Sequence, residues 1–268
     1  MKRIPGRLVL LGHPVNHSLS PLFQNAALRA AGIPLKYEAV DVAAGDLRDV
    51  LRDLKRLDGA GNVTIPHKAA VHATCDDLSE IASRVGAVNT FWFEEGLLHC
   101  DNTDVDGFDA AARALIGDEV VGARVVVLGS GGGAAAVLAA VERWPNARVG
   151  VIARHPERAS TLARRFRDVA RVETSADAAL EEATLVVNAT PIGQHDDERP
   201  LDVKIIPRNA AVFDLVYRRG GTPWVKAARK RGNRAADGLP MLLEQGALSF
   251  QRWFGIEPDR EAMRQALL

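Results

Sequence analysis

The apolar run Val125-Val126-Val127-Leu128, followed at once by Gly129-Ser130-Gly131-Gly132-Gly133, constrains the fold of this chain more than any other stretch. A short β-branched run bounded by glycines reads as a strand entering a tight turn, and the residues beyond it read as a helix. A parallel strand, a glycine turn and a helix N-terminus aim unpaired backbone N–H groups and the positive end of the helix dipole at one point, which makes an anion site. Taken alone, the same residues would be only a strand-to-helix turn. Inside a βαβ unit of this length they have the form of a dinucleotide site, with Gly129, Ser130, Gly131, Gly132 and Gly133 as its candidate phosphate-facing residues.

Strand-like and helix-like segments alternate along nearly the whole chain, which predicts an α/β protein with mostly parallel strands. Leu8 to Leu11 reads as the first strand. Ser20 fits an N-cap with Pro21 at the first helical position, and Gly32 closes that helix. Leu35 to Val42 is a second strand, and Leu47, Val50, Leu51, Leu54 and Leu57 recur at helical spacing. A third strand delivers Asn62 to Thr64. Residues 87–93 and 97–100, separated by Glu94-Glu95-Gly96, predict an antiparallel hairpin that closes this first sheet. A second α/β unit follows, with strands at 123–128, 148–153, 184–188 and 211–215. The expected organisation is a first domain over 1–106, completed by C-terminal helices within 239–268, and a Rossmann-type domain over 107–238. The apolar pattern Met241, Leu242, Leu248, Phe250, Trp253, Phe254 is what would dock those last helices back onto the first domain.

At 268 residues the chain is long enough for two buried cores. Lys plus Arg equals Asp plus Glu at 34 each, so no global field recruits nucleic acid or an anionic membrane. An anionic ligand must then be held by local groups. Cys75 and Cys100 form no Cys-x-x-Cys pair, which argues against a disulfide framework or a zinc site, and no metal site is expected. Met1-Lys2-Arg3 resembles the start of a secretion signal, but Gly12, His13 and Pro14 break the apolar stretch too soon. A soluble, cytoplasmic protein is expected.

At the end of the second strand of a dinucleotide unit, a carboxylate selects NAD, whereas a basic residue accommodates a 2′-phosphate. Here the residues are Ile152-Ala153-Arg154-His155-Pro156-Glu157-Arg158. Arg154 offers a planar fork for a phosphate, with Arg158 one helical turn on, so NADP is the expected cofactor. A second group of candidates lies in Asn62-Val63-Thr64-Ile65-Pro66-His67-Lys68, where a strand end would point an amide, a hydroxyl and an ammonium into a cleft. Asp101-Asn102-Thr103-Asp104 supplies a carboxylate downstream. Lysine, aspartate and a nucleotide turn together suggest carbonyl reduction.

The order of these motifs resembles the shikimate dehydrogenase family over nearly the whole chain. The resemblance rests on Gly12-His13-Pro14-Val15-Asn16-His17-Ser18-Leu19-Ser20-Pro21, on 62–68, and on Gly86-Ala87-Val88-Asn89-Thr90. It continues through Asp101 to Asp104 with Gly107, the glycine turn, Asn188-Ala189-Thr190-Pro191-Ile192-Gly193, Asp214-Leu215-Val216-Tyr217, and Gly238-Leu239-Pro240-Met241 with Gln245. It implies reduction of 3-dehydroshikimate to shikimate with NADPH in aromatic amino acid biosynthesis. Lys68 and Asp104 become the catalytic pair. Ser18 and Ser20 are implied as ligands of the substrate carboxylate, with Tyr217 closing over it. Thr64, Asn89 and Gln245 would read the ring hydroxyls. Thr190, Gly238 and Met241 fall on the cofactor side, although Met241 also fits a core methionine and Ser20 also fits the helix cap. The implied partner is a small-molecule substrate, for a monomer or homodimer.

The chain departs from the family pattern in four places: Ala153 and His155 flank Arg154, Gln194 follows Gly193, and Arg219 lies two residues beyond Tyr217. Gly59-Ala60-Gly61 is also glycine-heavy, which would loosen the approach to the strand before Lys68. A quinate or aminoshikimate dehydrogenase, and a non-catalytic NADP-binding protein, are the other readings; Ser18-x-Ser20 favours shikimate, and the presence of both Lys68 and Asp104 favours an enzyme.

Overall fold

The computed structural model describes residues 4–117 and 120–267, so the basic start Met1-Lys2-Arg3 lies outside the described residues. The chain divides into two compact units, one of Met1–Gly107 with Leu242–Leu268 and the other of Phe108–Met241.

In the first unit, β1 (Leu8–Gly12), α1 (Ser20–Ala30), β2 (Tyr37–Asp41), α2 (Leu47–Arg56), β3 (Ala60–Val63), α3 (Lys68–Thr74), β4 (Asp77–Leu78), α4 (Glu80–Val85), β5 (Thr90–Glu94) and β6 (Leu97–Asp101) follow in order. The strands form one mixed sheet in the order β2-β1-β3-β5-β6-β4. β1 pairs in parallel with β2 and β3, β5 runs antiparallel to β3 and β6, and β4 is parallel to β6. Alternate residues of β1 serve the two faces of the sheet, as a period of two requires. Leu8 and Leu10 join Phe23, Tyr37, Phe250, Trp253 and Phe254 on one side, whereas Val9 and Leu11 join Leu51, Leu54, Val63, Phe91 and Phe93 on the other. The first of these cores is completed by residues of the C-terminal helices, which bury large aromatic areas there.

The sequence expectations need four corrections in this unit. Ser20 is not the N-cap: Leu19 already has helical backbone angles, Ser20 is the first helical residue, and no side chain caps the helix. Leu57 is not part of the buried stripe of α2, because the helix ends at Arg56 and Leu57 is 49% exposed. The β5–β6 hairpin forms, but it does not close the sheet; two-residue β4 lies beyond it at the edge. Gly61 does not loosen β3: a Cβ there would lie 2.0 Å from the Val9 carbonyl oxygen, so the missing side chain lets β1 and β3 lie close together.

Helix α5 (Asp104–Ile116) leads into the second unit, which continues with β7 (Arg124–Leu128), α6 (Gly132–Val141), β8 (Arg148–Ile152), α7 (Pro156–Arg165), β9 (Ala170–Val172), α8 (Ala176–Leu180), β10 (Leu185–Asn188), β11 (Ala211–Asp214), α9 (Pro223–Arg231) and β12 (Ala235–Ala236). Helices α10 (Leu239–Phe254) and α11 (Arg260–Gln265) end the chain. The second sheet is parallel throughout, in the order β12-β11-β10-β7-β8-β9, which is the doubly wound dinucleotide-binding order read from the far edge. Its central strands are buried along their full length or nearly so, which explains why 125–128 and 185–187 read as unbroken apolar runs. The fold is therefore the two-part α/β architecture expected from the sequence, with one mixed and one parallel sheet.

Candidate active site

In the first unit, β3 ends at Val63 and the chain turns through Thr64 to Pro66 before α3 begins at Lys68. The His67 ring, 1% exposed, fixes this turn with a 2.6 Å hydrogen bond between Nε2 and the Val42 carbonyl. Val88 N donates to the Lys68 carbonyl, which brings the lysine beside the 86–89 segment. The Lys68 ammonium donates to Asp104 Oδ2; the lysine side chain is 22% exposed and the aspartate 10%. Such a pair is shielded enough to be held in one geometry yet open enough to meet a ligand.

Asp104 begins α5 and is held from the opposite side. Asn89 Nδ2 donates to its Oδ1 at 2.9 Å, and Asp104 N donates to Asn102 Oδ1. The same Asn89 nitrogen lies 3.1 Å from Gln245 Oε1 and 2.9 Å from Thr103 Oγ1. Gln245 comes from α10, and Gly107 allows its approach: a Cβ on Gly107 would lie 2.8 Å from Gln245 Cβ and 2.9 Å from Gln245 N. Lys68, Asp104, Asn89 and Gln245, four of the candidates named from the sequence, thus form one hydrogen-bonded group. The turn carrying Asp104 is anchored by Asp101, whose buried carboxylate accepts from Arg252 Nε at 2.7 Å, Ser79 Oγ at 2.5 Å and Asn102 N at 2.7 Å.

The remaining candidates of the first unit sit nearby in the chain. Half-buried Thr64 donates its backbone N–H to the Leu11 carbonyl, and its methyl group packs where a Gly12 side chain would be, 2.5 Å from the ideal Cβ. Ser18 Oγ accepts from Ser20 N at 3.2 Å. This bond to the first helical N–H is not the one expected of an N-cap Ser20, and the Ser20 hydroxyl, on a residue 6% exposed, is not consumed as a cap. Asn62 departs from its expected place at an opening. It is 5% exposed, donates to the Asn89 carbonyl at 3.0 Å and to Ser249 Oγ at 2.9 Å, and accepts from the Tyr37 hydroxyl at 2.8 Å. Tyr37, Ser249 and Arg252 were not singled out from the sequence, and Asp101 and Thr103 were named there only as members of a motif. Tyr37 and Ser249 meet Asn62, and Arg252 meets Asp101, across 25 to 187 residues, and only the pairing of elements reveals these contacts.

In the second unit, Gly129 follows β7 with φ +117°, and a Cβ there would lie 2.8 Å from the Ala189 carbonyl oxygen, so position and backbone both call for glycine. Gly131 is the N-cap of α6 and makes no side-chain capping bond; a Cβ on it would meet nothing within 4 Å. The first N–H groups of α6 thus have open space beside them and no capping side chain, and this cradle fits a dinucleotide phosphate. Thr190 lies against Gly129, held by Asn188 Oδ1, which accepts from Thr190 N at 3.0 Å and Thr190 Oγ1 at 2.6 Å. Asn188 Nδ2 and Thr222 Oγ1 donate to the fully buried Asp214, whose carboxyl is pushed up to about 6 by burial despite these bonds. Arg154 and Arg158 follow β8, are exposed, and form no ion pair or side-chain hydrogen bond among the described residues. Half-buried Tyr217 lies just beyond β11, Gly238 N donates to the Val216 carbonyl, and Met241 is 9% exposed on α10. Among the described residues no cluster of three or more His, Cys, Asp or Glu is arranged to hold a metal, and no helix is long and apolar enough to cross a membrane.

Residues 10–91 match the family model for the shikimate dehydrogenase substrate binding domain, and residues 238–268 match that for the shikimate 5'-dehydrogenase C-terminal domain. The chain is 41% identical to a shikimate dehydrogenase (NADP(+)) of Symbiobacterium thermophilum, over 99% of this chain and 95% of that protein. Among solved structures, shikimate 5-dehydrogenase of Thermus thermophilus in complex with NADP(H) and shikimate is 38% identical with a TM-score of 0.88, covering 97% of each chain. The shikimate dehydrogenase of Aquifex aeolicus is 34% identical with a TM-score of 0.91, again over 97% of each chain. With this identity sustained over essentially its full length, the chain belongs to the shikimate dehydrogenase family.

Proposed function

We propose that the chain catalyses the reversible reduction of 3-dehydroshikimate to shikimate with NADPH, a step of aromatic amino acid biosynthesis. The observation that carries the mechanism is the shielded Lys68–Asp104 pair with Asn89 and Gln245 bonded around it. When bound, NADPH supplies a hydride; the glycine turn at Gly129 to Gly133 would hold its pyrophosphate and Arg154, with Arg158, its 2′-phosphate.

The chain's own residues then do the following. As negative charge grows on the substrate's carbonyl oxygen, the Lys68 ammonium donates a hydrogen bond to it and passes it a proton, giving the alcohol. Asp104 holds the ammonium in place and accepts from the neighbouring ring hydroxyl. Thr64, Asn89 and Gln245 bond the ring hydroxyls, and a site built to do so rejects analogues that lack them, because its own polar groups would be left unpaired. Ser18 and Ser20 take the substrate carboxylate. In the reverse direction Lys68 recovers its proton from the alcohol as hydride leaves.

The balanced charge supports a small-molecule substrate rather than nucleic acid, and the reading is of a cytoplasmic enzyme, a monomer or homodimer. The test is a spectrophotometric assay of shikimate and quinate, each with NADP and NAD. Turnover of shikimate with NADP at least tenfold above the other three combinations is expected; quinate as the better substrate, or no turnover, would refute this reading.

A further inference from the structure

We propose that Ser249 is a positioning residue that ties the Gln245 turn of α10 to β3 and to the Asp104 turn and thereby sets the orientation of Gln245 beside Asn89; the proposal rests on the reading of Asn89 and Gln245 as substrate-hydroxyl ligands. Ser249 is fully buried on α10, one turn beyond Gln245, and touches both the β3 strand and the turn that carries Asp104. Its Oγ lies 2.9 Å from Asn62 Nδ2, 2.9 Å from the Gln245 carbonyl oxygen and 3.1 Å from Thr103 Oγ1.

The backbone groups around the two amides fix their orientation. Asn89 Oδ1 accepts from the backbone N–H of Thr103 at 2.8 Å, which fixes the orientation of the amide and makes Nδ2 a donor of two hydrogens. Three acceptors surround that nitrogen: Asp104 Oδ1, Gln245 Oε1 and Thr103 Oγ1. Gln245 is oriented too, because its Nε2 donates to the Leu242 carbonyl, so Oε1 is an acceptor that needs a donor. The carboxylate of Asp104 takes one Asn89 hydrogen, and the other serves Gln245 Oε1 or Thr103 Oγ1. Ser249 ties the Gln245 turn of α10 to this set: its Oγ accepts from Asn62 Nδ2, its hydroxyl donates to the Gln245 carbonyl, and Thr103, which also donates to that carbonyl at 3.0 Å, lies within hydrogen-bond distance of the same Oγ. Without Ser249, one Asn62 hydrogen loses its buried acceptor, the Gln245 carbonyl keeps only the Thr103 hydroxyl among these side-chain donors, and the Gln245 amide is no longer held for a ring hydroxyl.

The experiment compares wild type, Ser249→Ala and Ser249→Cys in steady-state kinetics with shikimate and NADP, alone and in a Gln245→Ala background. For Ser249→Ala, KM for shikimate should rise roughly tenfold, with kcat changed less than threefold and KM for NADP unchanged. Ser249→Cys, which keeps a weak donor and acceptor, should recover part of the effect and serves as the working variant if the alanine form does not fold. In the Gln245→Ala background the added effect of Ser249→Ala on KM should fall below twofold. A purely structural serine would lower the melting temperature and the active fraction, and hence the apparent kcat, while leaving KM in place; that outcome, or fully additive effects on KM, overturns the proposal. A wild type that does not turn over shikimate would instead overturn the functional reading on which it rests.

Discussion

Lys68→Met keeps the length and apolar stem of the side chain and removes only the ammonium, so it separates the chemistry of the lysine from its packing. Two effects on stability oppose each other. Breaking the pair leaves Asp104 with Asn89 still on Oδ1, and with the lysine side chain 22% exposed this costs about 1 kcal/mol. Against that, Lys68 is the first residue of α3, where the positive end of the helix dipole disfavours an ammonium by roughly 0.3–1 kcal/mol. The net loss should stay below about 1 kcal/mol, a shift in Tm of about 2–4 °C or less. Turnover has no compensating gain. A positioned proton donor contributes roughly 10²–10⁴-fold, or about 3–5 kcal/mol of the barrier. Shikimate-dependent NADPH formation, followed by absorbance, should therefore fall at least a hundredfold in kcat. NADPH affinity, followed by fluorescence titration, should stay within twofold, because the nucleotide turn belongs to the other unit. A folded Lys68→Met protein with kcat within tenfold of wild type would refute the assignment of Lys68 as proton donor.

Three further outcomes are expected. Gly129→Ala forces a Cβ to 2.8 Å from the Ala189 carbonyl oxygen at φ +117°, a strain on the order of 1–3 kcal/mol, and should weaken NADPH binding at least tenfold in the same titration; unchanged binding would remove the turn from the cofactor site. Arg154→Asp should lower the NADPH-over-NADH ratio of kcat/KM by at least tenfold, in line with loss of about 1.5–3 kcal/mol for hydrogen bonds to a charged phosphate, and an unchanged ratio would exclude it as the phosphate reader. Asp214 binds its proton more tightly folded, at about 6, than unfolded, at 3.8, so its burial penalty is fully present at pH 7 and is relieved as pH falls through 6 toward 4. Asp214→Asn should therefore lose ground to wild type in unfolding free energy, followed by denaturant titration, between pH 7 and pH 4, by about 2–3 kcal/mol, whereas parallel curves would contradict the shift.

The nucleotide-binding unit was legible because its strands are buried on both faces and so appear as unbroken apolar runs, and because its turn demands glycine. Lys68, Asp104, Asn89 and Gln245 were legible through family motifs. What the sequence left hidden has a common physical cause. Helix α3 starts at Lys68 with no side-chain cap at His67, and β4 is two residues with one exposed, so neither leaves a local signal. The Ser20 cap was misplaced because Leu19 had already entered the helix, a matter of backbone angles rather than residue type. Asn62 looked like a group facing an opening, and its burial became visible only once Tyr37, Asn89 and Ser249 were brought around it. Ser249 itself carries no motif and reads in the sequence as one small residue between Leu248 and Phe250.

The return of Leu242 to Leu268 to the first unit sets an order of events during synthesis. As the chain emerges from its N-terminus, Leu8, Leu10, Phe23 and Tyr37 are made early, while Phe250, Trp253 and Phe254, which cover them, come some two hundred residues later. At about 5–20 residues per second the nascent first unit spends on the order of ten seconds or more with that face open. Phe108–Met241, being continuous, has all its strands before the first unit has its last helices. The nucleotide-binding half can thus be finished while Gln245 is still missing from the substrate half. A chain that stalls before Gln245 has emerged would carry the whole nucleotide turn, lack a complete substrate site, and present an aromatic-seeking apolar surface to whatever holds nascent chains.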